Sequence, residues 1–314
     1  MHSMIRTTAK ICVAAAALAA ALPVAPSHAE NFAYVSADGS GNACTAAQPC
    51  ATITAVWVFI GASVPLRVVC LNGSAPDVGV ADLNKGNVSV DIDCPQGFIQ
   101  HFGTTNFAVN STVRIRHLGF IGGVPNLTAP NHILILGSGT LILEDCTFED
   151  APDAALDIEP NGPLNVVIKN SRISNNAGGI LLKPNGGGSI KATLDHVTIT
   201  NNTAGGIRTD STNGVVNLDV SDSEISHNGA NGINAIAGTN QNIVSVRNSV
   251  IAQNGDAGLQ SNGANAGILV SATLLDQNAA GATLVVGGGN LFTYGDNDVV
   301  GPIGSGFTGT ATPH

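Results

Sequence analysis

The densest acidic stretch of this chain is short, and two basic residues follow it. Seven carboxylates fall within 16 residues: Glu144, Asp145, Glu149, Asp150, Asp153, Asp157 and Glu159. The basic residues are Lys169 and Arg172. Carboxylate oxygens are the ligands that hard cations such as calcium take in proteins. No ligand spacing stands out, however, and the alternative is a solvated acidic turn with ion pairs between neighbouring strands.

A second candidate group is the tripeptide Leu194-Asp195-His196. His196 belongs to a column of polar residues: Asp145, Asn170, His196, Asp222 and Asn248. Histidine is a common catalytic residue and metal ligand, but the column already explains a polar residue there, so we interpret His196 as a turn residue. Residues 304–309 spell G-x-G-x-x-G. No helical pattern follows them, so no dinucleotide cofactor is expected.

These groups lie on a chain with a 26-residue repeat. Three columns of residues keep this step. They are Ile173, Ile199, Ile225 and Ile251; Asn176, Asn202, Asn228 and Asn254; and Ile168, Leu194, Val220 and Val246. Weaker copies begin near Ile115, and a 24-residue step continues the pattern to Asn278. Registered columns at one period indicate a single structural unit that is repeated along the chain.

The repeat predicts an all-β fold. Short β-branched runs are separated by turns rich in Asn and Gly, and no helical spacing extends over a useful length. We predict coils of about 26 residues, each with three short strands that pair in parallel with the coils above and below. Aliphatic columns should stack inside. Residues 51–61, with Trp57 and Phe59, are predicted to form a short helix that caps the first coil.

The asparagine column is expected to lie at a bend. Asparagine tolerates left-handed backbone, and the amide of Asn176 can hydrogen bond to the next asparagine along the stack. The alternative is a row of surface turn residues without such a ladder. Because the column has five members, down to Asn278, we predict the ladder.

The first 29 residues have the pattern of a secretory signal peptide. Arg6 and Lys10 make a basic start, residues 11–22 form an apolar run, and Ser27-His28-Ala29 is a cleavage signal. That run is too short to span a membrane, and no later run is longer. We therefore expect an exported protein, periplasmic or extracellular, with no membrane span in the mature chain.

The charge of the chain limits its ligands. The formal net charge is −10, and cleavage after residue 29 removes two basic residues and no acidic ones, which leaves −12. No block of Lys or Arg is present to neutralise phosphates, so nucleic-acid binding is disfavoured. An anionic polysaccharide would need a local basic patch or a bridging cation to bind to this protein.

Five cysteines remain after the predicted cleavage, in a compartment that permits disulfides. Cys44 and Cys50 can close a small loop. Cys70 and Cys94 are 24 residues apart, about one coil. Residues one coil apart lie roughly 4.8 Å from each other, within the span of a disulfide. We predict the bridges Cys44–Cys50 and Cys70–Cys94, and we interpret Cys146 as a buried thiol rather than a nucleophile.

Residues 113–297 resemble the right-handed parallel β-helix repeats of the pectin-lyase-like superfamily. Residues 34–53 resemble the first segment of its exported bacterial members. The resemblance implies a single right-handed β-helix, which we place at residues 63–300. A lead-in and cap segment (30–62) precedes it, and an irregular tail (301–314) follows. It implies little about function, because the superfamily includes lyases, hydrolases, epimerases, adhesins and proteins without known activity.

The resemblance also implies a role for the acidic stretch. Lyases of this superfamily hold calcium between carboxylates and use an arginine or lysine as base. In this chain, that role would fall to Glu144, Asp145, Glu149 and Asp150 as ligands, with Lys169 or Arg172 as base. The motif W-I-D-H of pectate lyases matches only at Asp195 and His196, and the motifs of polygalacturonases are missing.

Two functions remain open. The first is a non-catalytic envelope or extracellular protein that binds glycans or envelope components, without a cofactor. The second is a calcium-assisted polysaccharide lyase, or a related carbohydrate-active enzyme, with its site near residues 144–172. We favour the first, because Lys169 is better explained as a counter-charge between Glu144 and Asp195 than as a base.

Overall fold

The computed structural model describes residues 31–59, 65–74, 77–82, 89–104, 111–122 and 131–312. The predicted signal peptide, residues 1–29, lies outside this part of the chain. One helix, α1 (Ile53–Phe59), is described where a cap was predicted. Ile53 and Val56 of this helix are fully buried, whereas the side chains of Trp57 and Phe59 are outside the described set. No described helix is long and apolar enough to cross a lipid bilayer.

All other regular elements of the described residues are strands, as the repeat predicted. They are β1 (Asn31–Val35), β2 (Leu66–Cys70), β3 (Asp77–Asp82), β4 (Val90–Thr104), β5 (Thr112–Ile121), β6 (Ile133–Ile135), β7 (Gly139–Glu144), β8 (Thr147–Glu149), β9 (Ala154–Ile158), β10 (Pro163–Lys169), β11 (Arg172–Ser174), β12 (Gly178–Leu182), β13 (Ser189–Asp195), β14 (Thr198–Thr200), β15 (Ile207–Asp210), β16 (Val215–Ser221), β17 (Glu224–Ser226), β18 (Ile233–Ile236), β19 (Asn242–Arg247), β20 (Val250–Ala252), β21 (Leu259–Asn262), β22 (Ala266–Ser271), β23 (Leu274–Asp276), β24 (Thr283–Val286), β25 (Asn290–Thr293), β26 (Asp298–Val300) and β27 (Gly309–Thr310).

The strands form three faces of a parallel solenoid. Face 1 contains β1, β2, β4, β5, β7, β10, β13, β16, β19, β22, β25 and β27. Face 2 contains residues 97–99 of β4, the end of β5, and β8, β11, β14, β17, β20, β23 and β26. Face 3 contains β6, β9, β12, β15, β18, β21 and β24. Each named strand pairs in parallel with the strand one coil away.

The register of the strands confirms the 26-residue columns. Ile173 lies opposite Ile199, which lies opposite Ile225. These side chains are fully buried, and the same column continues backwards as Phe148 and Phe120, whose rings stack at 4.6 Å. Burial of an isoleucine side chain contributes about 1.5–3 kcal/mol, so a stack of aliphatic side chains can stabilise a narrow core.

Each coil turns from face 1 to face 2, and from face 2 to face 3, at a single residue with left-handed backbone. At the first bend this residue belongs to the column His117, Asp145, Asn170, His196, Asp222, Asn248 and Ala272. At the second bend it belongs to the column Asp150, Asn175, Asn201, His227, Gln253 and Gln277. Asn, Asp and His tolerate positive φ better than most residues, which explains the polar columns in the sequence.

The asparagine ladder is present, with one correction. Asn176 is not the left-handed residue; that conformation falls on Asn175, one position earlier. The shift turns Asn176 inward, where it is buried, and its Nδ2 donates a 3.0 Å hydrogen bond to Oδ1 of Asn202. The same bond continues at 2.9–3.0 Å through Asn228 and Asn254 to Asn278. The ladder is therefore an internal spine along the second bend.

The ends of the solenoid differ from the prediction. β1 already pairs with β2, so face 1 includes Asn31–Val35, ahead of the predicted start at residue 63. The predicted irregular tail contains β27, which pairs with β25. Both predicted disulfides are present, Cys44–Cys50 and Cys70–Cys94, with Cα–Cα distances of 4.7 and 4.6 Å. Strand pairing and covalent bonds thus both hold the first coils.

Candidate functional site

The four predicted calcium ligands lie at two different bends. Glu144 ends β7 and Asp145 forms the first bend, whereas Glu149 ends β8 and Asp150 forms the second bend. The short strand β8 separates the two pairs. Among the described residues, one group of three or more potential ligands converges, and none of these four belongs to it.

Lys169 lies where the columns placed it, but it does not form the predicted ion pairs. It is opposite Glu144 on one side and Asp195 on the other. Among the described residues, no carboxylate lies within 4.0 Å of its Nζ. The carboxylate of Glu144 instead lies 3.9 Å from Nε of Arg114. Arg114 thus takes the counter-charge role that we predicted for Lys169.

Arg172 is held on face 2 by its neighbours. Its Nε donates a 3.1 Å hydrogen bond to Oγ of Ser174 and lies 3.9 Å from Oε1 of Glu149. Ser174 in turn donates a 3.1 Å hydrogen bond to the same carboxylate oxygen. The Nε–H of Arg172 is thus already engaged by Ser174, beside the carboxylate of Glu149.

Two arginines and an aspartate form a cluster on the outside of face 1. Arg67, Asp91 and Arg114 lie opposite one another on β2, β4 and β5. They line a depression with a volume of about 280 Å³, together with Pro65, Ser89, Thr112 and other residues. We name this depression, with Arg67, Asp91 and Arg114, the arginine notch. Since the sequence has no block of basic residues, only the pairing of the coils brings these side chains together.

The charges in the arginine notch are unevenly matched. Nη2 of Arg116 donates hydrogen bonds to both carboxylate oxygens of Asp91, at 3.1 and 3.2 Å. Arg67 and Arg114 make only long ion pairs through Nε, to Asp91 at 4.0 Å and to Glu144 at 3.9 Å. Among the described residues, neither guanidinium donates a hydrogen bond, and both Nε atoms are buried. Two guanidiniums with unused donors therefore border one depression.

A second cluster lies on the first bend. It consists of Asp195, His196 and Asp222, and we name it the His196 cluster. One potential ligand atom of each lies within 4.8 Å of the other two. Nδ1 of His196 is 2.7 Å from Oδ1 of Asp195, and Asp222 accepts a hydrogen bond from Asn248. His196 is also the bend residue, as its polar column predicts. The 26-residue step from His196 to Asp222 was the signal that these side chains are neighbours.

Cys146 is a buried free thiol, as predicted. Removal from water raises its pKa to about 12. Its Sγ lies 3.3 Å from the carbonyl oxygen of Glu144, to which it donates a weak hydrogen bond. Because the thiolate is the reactive form, this side chain is unsuited to nucleophilic catalysis.

Two aspartates on face 3 have opposite pKa shifts. Partial burial and the charge of Glu159 raise the pKa of Asp157 from 3.8 to about 6, although Asn131 donates a 2.8 Å hydrogen bond to it. Burial also acts on Asp210, but hydrogen bonds from Thr212 and Arg208 lower its pKa. The number of donors around each carboxylate decides the direction of the shift.

Asp157 should make the stability of the protein depend on pH. Its folded-state pKa of about 6 exceeds the ordinary 3.8. Between these values the folded state keeps a proton that the unfolded state releases, so stability should fall as pH rises from about 4 to about 6. In Asp157→Asn this loss should be missing, and the melting temperature should exceed that of the wild type most at pH 7.5. The exposed Asp219→Asn is the control; if both variants follow the wild-type profile, the assignment is wrong.

Comparisons with known proteins concern the fold. The family model described as "Right handed beta helix region" matches residues 104–218. A comparison with curated proteins finds no match. Pectate lyase Pel9A is similar in structure, with a TM-score of 0.50 and 13% identity over 90% of this chain and 78% of that chain.

The A-module of the Azotobacter vinelandii mannuronan C-5 epimerase AlgE4 has 11% identity over 81% of this chain and 92% of that chain. Its TM-score is 0.32. At such identities, the likeness to pectate lyase Pel9A shows a shared fold and leaves the activity open. The parallel three-faced solenoid, the matched repeat region and this structural likeness agree: the chain has the fold of a right-handed parallel β-helix.

Proposed function

We propose that this protein is an exported, non-catalytic glycan-binding protein whose arginine notch takes an acidic group of a polysaccharide. The observation that carries the proposal is the pair of guanidiniums, Arg67 and Arg114, that border a depression and donate no hydrogen bond among the described residues. Arginine matches the geometry of a carboxylate, because its planar fork donates two parallel hydrogen bonds.

Electrostatics limits the site to this part of the surface. With an expected net charge of −12, the mature protein repels an anionic chain in general. In the notch, Asp91 has both oxygens occupied by Arg116, so it does not neutralise Arg67 and Arg114 fully. The notch is thus the local basic patch that an acidic polysaccharide needs.

The shape of face 1 suits a long ligand. Outward side chains on neighbouring coils are spaced by one strand separation, about 4.8 Å, and include Asn165, Lys191 and Asn217 in one column. A polysaccharide lying across the coils would meet hydrogen-bonding groups at regular intervals. A pectate lyase has the same fold, which supports a carbohydrate as ligand without assigning an activity.

Export is part of the same proposal. The sequence begins with the pattern of a signal peptide. Two disulfides join the N-terminal coils, and such bonds persist in oxidising compartments. Both features support a periplasmic or extracellular location, where polysaccharides are available.

The proposal is tested by calorimetric titration with oligogalacturonate, with a neutral cello-oligosaccharide for comparison. We expect the acidic ligand alone to bind, and more weakly at high salt. The double variant Arg67→Ala/Arg114→Ala should bind at least about tenfold more weakly, since a hydrogen bond to a charged group contributes about 1.5–3 kcal/mol. The control Arg247→Ala removes an exposed arginine from β19 of the same face, outside the column that contains Asn165. Equal affinity of the double variant and the control would reject the notch.

The alternative function, a calcium-assisted lyase near residues 144–172, has one observation in its favour. Lys169 is exposed and free of a carboxylate within 4.0 Å among the described residues, as a base would be. Glu144, Asp145, Glu149 and Asp150 do not form a common calcium site, however. We expect no ultraviolet-absorbing unsaturated product from pectate or alginate with calcium. Activity that Lys169→Ala abolishes and Lys191→Ala retains would replace our proposal.

A further inference from the structure

We propose that the His196 cluster binds a borderline transition-metal ion of the zinc type. The ligands are the imidazole of His196 and the carboxylates of Asp195 and Asp222. This site lies on the first bend, several coils from the arginine notch. It does not depend on glycan binding, and its probe is the metal ion alone.

The backbone fixes the positions of the three residues. Asp195 ends β13, and His196 is the left-handed bend residue that follows it, with φ at 55°. Asp222 occupies the same bend position one coil later, with φ at 51°. The backbone N–H of His196 donates a 3.2 Å hydrogen bond to the carbonyl oxygen of Ser221, which ties the two bends together. The Cα positions are thus set, while the side chains of His196 and Asp222 are exposed to solvent.

The distances allow one ion to reach all three residues. Their ligand atoms lie within 4.8 Å of one another, and His196 and Asp195 are already in contact at 2.7 Å. In a tetrahedral zinc site, ligand atoms about 2.1 Å from the metal lie roughly 3.4 Å apart. Small rotations of the two exposed side chains close the remaining difference.

The chemistry of the ligands selects the metal. Calcium and magnesium take oxygen ligands, whereas zinc takes imidazole nitrogen together with carboxylate oxygen. Among the described residues, neither Asp195 nor Asp222 has a lysine or arginine within ion-pair distance. A divalent cation would therefore neutralise two carboxylates that the protein itself leaves without a permanent counter-charge.

The surroundings leave room for further ligands. A depression of about 480 Å³ adjoins His196 and Asp222, and Glu224 and Asn248 are also in its lining. A zinc ion with three protein ligands keeps a fourth position for water or another molecule. The open depression lies on the side where that position would be accessible.

A second histidine on the same column does not form such a site. His117 lies between Asp93 and Asp145. Its Nδ1 is 2.8 Å from Oδ1 of Asp93, and its Nε2 is 3.7 Å from Oδ2 of Asp145. Because these carboxylates contact opposite ring nitrogens, they cannot converge on one ion. A histidine at this bend beside acidic residues is therefore not enough to make a metal site. Of these two histidines, only His196 has carboxylates that can reach the same ion.

The experiment is a calorimetric titration of the tag-free, chelator-treated protein with zinc chloride, with metal content measured after dialysis. The variants His196→Asn and Asp222→Asn remove one ligand each. Asparagine already occupies this bend column at Asn170 and Asn248, so the backbone should be retained. The control His227→Asn removes a histidine from the second bend, where φ is also 55° and Asn201 and Gln253 are the column neighbours.

We expect one zinc ion per chain for the wild type and for His227→Asn. Both His196→Asn and Asp222→Asn should bind at least about tenfold more weakly, and calcium at equal concentration should not compete. Circular dichroism should show that all variants keep their β structure. The proposal is overturned if the wild type binds no zinc, or if either ligand variant binds as tightly as the control.

Discussion

Ile199→Asp is expected to unfold the central coils of the solenoid. Ile199 is fully buried on β14 between Ile173 and Ile225. A carboxylate at that position would meet only aliphatic side chains above and below. Burial of an unpaired polar or charged group is among the most destabilising single changes, at about 4 kcal/mol or more. Domains of ordinary stability have about 5–15 kcal/mol in total.

Thr198→Asp provides the matched comparison for Ile199→Asp. Thr198 precedes Ile199 on the same strand, and its side chain points outward into the depression beside His196. The new charge would therefore remain hydrated, and its effect should be within about 0.5 kcal/mol, as for most surface substitutions. Chemical denaturation of both variants measures the difference. Equal losses of stability would contradict the inward and outward assignment of β14.

Asn228→Ala should be nearly as destabilising, although it removes no apolar surface. Nδ2 of Asn228 donates to the carbonyl oxygen of Ile199 at 3.1 Å and to Oδ1 of Asn254 at 3.0 Å. Its Oδ1 accepts from the backbone N–H and the Nδ2 of Asn202, at 3.2 and 2.9 Å. Truncation leaves several buried groups without a hydrogen bond, each at a cost of about 1–3 kcal/mol.

Asn217→Ala is the control for the ladder. Asn217 lies on the outer side of β16, and no hydrogen bond of its side chain is found among the described residues. Its truncation should change the free energy of unfolding by only a few tenths of a kcal/mol. Urea denaturation of the two alanine variants checks the prediction. If Asn228→Ala lowers the free energy of unfolding by less than about 1 kcal/mol, water must satisfy the polar groups that lose Asn228 as a partner, and the prediction is wrong.

The regular half of the fold could be predicted from the sequence because identical spacing leaves only one register. The step of 26 residues placed Ile173 opposite Ile199 and Asn176 opposite Asn202, and both pairings are present. What the spacing does not contain is the backbone conformation within a bend. The left-handed residue is Asn175, one position before Asn176, and both are asparagines, so residue type alone did not distinguish them.

The arginine notch escaped sequence analysis for a physical reason. Its coils are irregular: Arg67 and Asp91 are 24 residues apart, and Asp91 and Arg114 are 23 apart. The register between β4 and β5 also shifts after Asp93. Without a constant step, neighbours on adjacent coils cannot be identified by counting. For the His196 cluster, the 26-residue repeat does place His196 next to Asp222. Asp195 belongs to a different column, so the repeat does not indicate that its side chain joins the cluster.

The buried thiol of Cys146 can be used to measure how fast the coil around it opens. In the closed structure the sulfur is both shielded and protonated, with a pKa of about 12, so an alkylating reagent has almost nothing to react with. Modification then requires that the coil around β7 and β8 opens. The rate of labelling at a saturating reagent concentration would measure the opening rate in the middle of the stack, far from the disulfides that secure its first coils.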